Sequence, residues 1–131
     1  MKYLKKFEGL STLPQEIVRN LNDICLELND ININTECEYF PKILVSGSIS
    51  GGYISVGMEK VDFTDYNDAL SWGDVSETID RIIDYMKSEN WKLSSLLIDS
   101  DNLINPEQWI ENLRNKEYYS FIGLTINFIE N

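Results

Sequence analysis

The sequence predicts an α+β domain: a mainly antiparallel sheet of about four strands with two to three helices packed on one face. Three observations carry that expectation. Ile17, Leu21, Ile24 and Leu28, and later Val75, Ile79, Ile82 and Met86, recur at the three-and-four spacing of a buried helix stripe. Between them, Ile31, Ile33, Thr35, Cys37 and Tyr39 alternate with Asn32, Asn34, Glu36 and Glu38, the period of a strand with one face in the core. The elements do not follow the repeating strand–helix–strand order that a parallel sheet requires.

Taken in order, residues 1–10 place Tyr3, Leu4 and Phe7 where either a turn or an edge strand would use them. Thr12, Pro14 and Gln15 form a helix-start signal, with proline in the first turn where its missing N–H costs nothing, and the helix is expected to end near Asn29. The alternating strand then runs to Pro41. Gly51-Gly52 predicts a tight hairpin within 43–61, setting Ile49 against Ile54, Gly47 against Val56, Val45 against Met58 and Ile43 against Lys60. Residues 62–73 read as an acidic, aromatic-bearing loop, and Asp74 with Glu77 as the cap of a second helix reaching about Asn90. Periodicity does not decide 91–103. Asn105-Pro106 opens a third helix, anchored by Trp109, Ile110 and Leu113 and reaching Lys116. Tyr118 to Ile129 has the aromatic and β-branched composition of a central or long strand.

A chain of 131 residues with 43% hydrophobic and 25% charged residues fits one domain over 1–131, large enough to fold without disulfides or a structural metal. No apolar run has the length of a signal peptide's core or of a membrane span, so a soluble cytoplasmic protein is expected. Cys25 and Cys37 fall on apolar faces and read as free buried thiols. The absence of histidine removes the commonest general base and transition-metal ligand, and with them Ser–His and Cys–His nucleophile mechanisms. The two cysteines lack the paired spacing of a zinc site.

Other motifs point to structure. Ser46 to Gly52 is rich in glycine but lacks the Gly-Lys-Ser/Thr ending of a phosphate loop, and a strand follows it. Asp99-Ser100-Asp101-Asn102 begins like a calcium loop, but Ile104 stands where glycine is needed and Ile110 where glutamate is needed. Asp65-Tyr66-Asn67 fails in the same way, with Leu70 and Ser76 at those positions. No catalytic residue, metal ligand or cofactor is therefore expected, and the protein is read as not an enzyme.

The charge is the strongest functional signal: 22 acidic against 11 basic residues, a net charge of -11. Such a field repels nucleic acid and anionic membranes and favours a basic protein partner. Aromatics ringed by carboxylates suit that partner, which singles out Asp62, Asp65, Tyr66, Asp68, Trp72 and Asp74, extended along the helix by Glu77, Asp80 and Asp84.

The opening Met1-Lys2-Tyr3-Leu4-Lys5-Lys6-Phe7-Glu8, and Trp72-Gly73-Asp74-Val75 leading into Ile82-Ile83-Asp84-Tyr85-Met86, resemble small uncharacterised accessory proteins of tailed bacteriophages and mobile elements. That resemblance covers about a fifth of the chain and implies a role in conflict between element and host. The expected function is an inhibitor or immunity-type protein occupying a basic surface of a nucleic-acid-binding enzyme or toxin. Two alternatives stand beside it: a small-ligand sponge or sensor, and a structural or assembly protein of a phage or element. Oligomeric state is left open.

Overall fold

A computed structural model of the chain describes residues 12–41, 43–45, 48–50, 52–60 and 69–130. Along them run α1 (Pro14–Asn29), β1 (Ile33–Phe40), β2 (Ile43–Val45), β3 (Ser48–Ser50), β4 (Tyr53–Lys60), β5 (Leu70–Ser71), α2 (Trp72–Ser88), β6 (Trp91–Ile98), β7 (Asp101–Leu103), α3 (Pro106–Leu113), β8 (Ser120–Phe121) and β9 (Gly123–Glu130). Five strands form one antiparallel sheet in the order β1-β4-β9-β6-β7, while β2–β3 and β5–β8 are separate two-stranded ladders. The architecture is α+β, as expected, with β7 bringing the sheet to five strands.

One sheet face and the helix stripes make a single buried cluster. Its centre lies on β9, where Ile126 stands between Val56 of β4 and Leu96 of β6, and Leu124 between Met58 and Ile98. Phe128 completes the row against Ile54 and Leu93. A register shift between Leu93 and Ser95 lets β6 turn Leu93 and Leu96 to the same side, although they lie an odd number of residues apart. Over this face lie Ile17, Leu21, Cys25 and Leu28 of α1, Val75, Ile79, Ile82 and Met86 of α2, and Ile110 and Leu113 of α3.

The predicted 43–61 hairpin is corrected. β4 pairs along its full length with β1, setting Tyr39 against Ile54, Cys37 against Val56 and Thr35 against Met58, while β2 pairs with β3. Both registers put Ile54, Val56 and Met58 on the core face, because alternation reports which face a residue takes and not which strand it pairs with.

Several boundaries also move. Ile31 is 44% exposed in a turn closed by Asn32 at φ 64, so β1 begins at Ile33. The N-cap of α1 is Leu13 and that of α2 is Ser71, neither with a side-chain cap bond, so the expected Thr12 and Asp74 caps do not form. α3 stops at Leu113, with Ile110 and Leu113 buried and Trp109 38% exposed. The final segment breaks at Ile122 into β8 and β9.

The undecided stretch 91–103 is a hairpin. Asp99 and Ser100 take φ of 52 and 71, the left-handed pair that a two-residue turn demands. Asp99 Oδ1 accepts hydrogen bonds from the Ile122 and Gly123 amides at 2.7 and 3.1 Å, fastening the turn to the start of β9. Relief of the left-handed penalty on a side chain exceeds the flexibility that glycine adds to the unfolded chain. Ser100→Gly should therefore raise unfolding stability by about 0.5 kcal/mol in urea titration; a fall in stability would contradict this reading of the turn.

Candidate functional site

The residues singled out by charge divide into three groups. Asp62, Asp65, Tyr66 and Asp68 lie outside the described residues. Trp72 is corrected: it is 2% exposed and belongs to the core, so it is not a surface anchor. The signal was in the sequence, because Trp72 extends the Val75, Ile79, Ile82, Met86 stripe backwards by one three-residue step. Backbone bonds from Trp72 N–H to the Tyr119 carbonyl and from Gly73 N–H to the Glu117 carbonyl, both 2.8 Å, fix this end of the helix.

Asp74, Glu77, Asp80 and Asp84 do come together. Glu77, Asp80 and Asp84 project from α2 opposite its buried stripe, and Asp74 begins the row near the positive end of the helix dipole. Asp74, Glu77 and Asp84 are exposed, and none of them makes an ion pair among the described residues. Asp80 is held by Arg114 Nη1 at 3.1 Å, while Arg114 Nε donates to Glu111 at 2.8 Å. The Glu111 carboxylate, and after it the charge of Asp80, raise the affinity of the Arg114 guanidinium for its proton. Like charges at this spacing repel by a few tenths of a kcal/mol per pair, so the ridge is no stabilising device.

The ridge is held rigidly. Glu27 of α1 accepts a 2.6 Å hydrogen bond from the buried Thr78 hydroxyl and pairs with Arg81, and Asn20 donates to the Tyr85 hydroxyl at 2.8 Å. These contacts run in opposite directions along the two helices, so α1 and α2 are antiparallel. Burial raises the Tyr85 hydroxyl above its ordinary value, opposed by the bond from Asn20.

A second acidic surface, which the sequence reading did not single out, occupies the sheet face away from the helices. Glu36, Glu38 and Phe40 alternate with the core residues of β1, and Tyr53, Ser55, Gly57 and Glu59 with those of β4. Glu36, Glu38 and Glu59 are exposed, and Tyr53 is 37% exposed. Phe40 and Tyr53 stack with ring centres 4.7 Å apart and planes 17° from parallel. The mixture of aromatics and carboxylates sought in 62–74 is thus present here. The alternation that revealed β1 also placed these acids on one face, but the stack depends on a pairing partner that alternation does not give.

Between α2, α3 and β6 lies a cleft of about 270 Å³ with Trp91, Ile110 and Phe128 at its base. Lys87, Lys92 and Arg114 line it together with Glu107 and Glu111, so its charges nearly balance. Cys25 and Cys37 are free and in contact, one from α1 and one from β1. Their hydrogen bond holds the Cys25 thiol below its ordinary value and, with burial, pushes the Cys37 thiol up. Cys25 is 0% exposed and Cys37 is half-buried, so both thiols lie largely within the packing of α1 against β1. Among the described residues no three His, Cys, Asp or Glu side chains gather to hold a metal ion, and no helix is long and apolar enough to cross a membrane.

Comparison with protein-family models, curated proteins and solved structures finds no match.

Removing Glu27 strands the Thr78 hydroxyl, which is 2% exposed. Glu27→Ala should therefore cost about 1–3 kcal/mol in urea unfolding, the range for an unsatisfied buried polar group. Adding Thr78→Val should recover part of that loss; a double variant that only sums two independent losses would contradict the coupling.

Proposed function

We propose that this protein is a non-enzymatic binding protein that occupies a basic surface of a partner protein, in the manner of an inhibitor or immunity protein. The observation that carries this reading is the open sheet face, where Glu38, Glu36 and Glu59 run along two neighbouring strands from the stacked Phe40 and Tyr53 at one end. A partly exposed aromatic pair on neighbouring strands supplies contact area at little entropic cost, and the carboxylates on the same face exclude partners of the wrong charge. The α2 ridge extends the negative field around the molecule, and a net charge of -11 speeds encounter with a cationic surface. The resemblance to phage and mobile-element accessory proteins favours a host or toxin protein as the target, with a nucleic-acid-binding enzyme suited by its basic groove.

Charge reversal separates the two surfaces. Immobilised protein should retain a basic host protein at about 0.15 M salt and release it at about 1 M, where screening shortens from about 8 to about 3 Å. Glu36→Lys with Glu38→Lys should weaken that retention by more than about tenfold, whereas Glu77→Lys with Asp84→Lys should mainly slow association. A partner held equally by wild type and the Glu36/Glu38 variant would contradict the assignment of the sheet face.

A further inference from the structure

The open face contains a residue that the fold does not require. Gly57 lies in the interior of β4, between Glu36 of β1 and Thr125 of β9. A glycine there weakens a strand, since it adds backbone freedom and brings no side chain to pack against its neighbours. The usual structural reasons for one are missing. Its φ is not left-handed, and an added Cβ would meet nothing closer than 3.9 Å, from the Glu36 carbonyl and the Thr125 hydroxyl. Alanine or a β-branched residue would fit in ordinary contact. The outward residues of β4 run Tyr53, Ser55, Gly57, Glu59, so the strand is large at both ends and low in the middle.

That low middle is a trough. A hollow of about 230 Å³ bordered by Glu36, Glu38, Phe40 and Ser55 lies on one side of Gly57 and Thr125. Another of about 370 Å³, bordered by Glu36, Glu59 and Leu97, lies on the other. Glu36, Gly57 and Thr125 line both, so the hollows meet over the glycine.

Resting on the reading of this face as the binding surface, we propose that the trough over Gly57 receives an arginine side chain of the basic partner. The apolar stem would lie across Ser55 and Gly57, and the guanidinium would meet the Glu36 and Glu38 carboxylates beside the ring of Phe40. A planar, delocalised cation suits both a pair of carboxylates and an aromatic neighbour, which a compact ammonium matches less well. Glycine is the residue that leaves depth for the stem, at a cost in strand stability.

The test is a titration of the ¹⁵N-labelled full chain with a hexa-arginine peptide, followed by amide shifts, with hexa-lysine beside it. Saturable shifts centred on Glu36, Gly57 and Thr125 are expected, with hexa-lysine binding more weakly. Gly57→Val should raise the melting temperature yet weaken hexa-arginine binding by about tenfold, and Gly57→Ala should do so to a smaller degree. Wild-type binding lost in Glu36→Lys with Glu38→Lys but unchanged in Gly57→Val would overturn the trough and leave the binding face standing. No saturable shift on this face in the wild type would overturn both.

Discussion

The pairing of β9 with two partners at once is the constraint on which the rest of the molecule depends. β9 is the last described strand along the chain, yet it lies in the middle of the sheet, joining the β1–β4 half to the β6–β7 half. Its inward residues Leu124, Ile126 and Phe128 are at most 2% exposed, and each pairs with an apolar residue on both sides. Without β9 the two halves would share no ladder, and α1 and α2 would lose the common floor on which they pack side by side. The Asp99 carboxylate reinforces this by holding the first amides of β9. Because β4 and β9 are far apart in sequence, the sheet closes through long-range pairing, the costly kind of contact for a chain to find.

Local pattern made much of this fold legible, and the exceptions have physical causes. The helix stripes and the alternation of β1 report which way a residue faces, and those assignments hold for Ile17, Ile33, Ile79 and Ile82, while the composition of the last segment reports a strand and not its faces. What alternation omits is the identity of the neighbour. Ile54, Val56 and Met58 share one face of β4, as the predicted hairpin had them, but their partner strand is β1. The same gap hid the open acidic face, since Glu36 and Glu38 meet Tyr53, Ser55 and Gly57 only through the β1–β4 register. The β6–β7 hairpin was illegible for another reason: its turn uses Asp-Ser in a conformation usually given to Asn-Gly, held by a distant bond to Ile122 and Gly123.

Composition fixed the sign of the field but not its distribution. Seven of the described acids gather on two surfaces, the α2 ridge and the open sheet face, separated by the core, and the rest are spread over the other elements. Trp72 shows how a loop-like string of acids and aromatics can mislead, because its spacing to Val75 outweighs its acidic neighbours and carries it inward. Gly57 shows the converse. A residue that reads as an ordinary interruption in a strand becomes informative only once the space above it is seen to be open. Both surfaces stand on elements whose inner faces are anchored to β9 or to neighbours of β9, so their placement depends on the central strand.

Native-state hydrogen exchange tests the central role of β9 most directly. The account predicts that the hydrogen-bonded amides of β9, with those facing them on β4 and β6, exchange only through global unfolding, while β5, β8 and α3 open at lower free energy. Exchange of β9 through local openings that leave the β1–β4 ladder protected would contradict it.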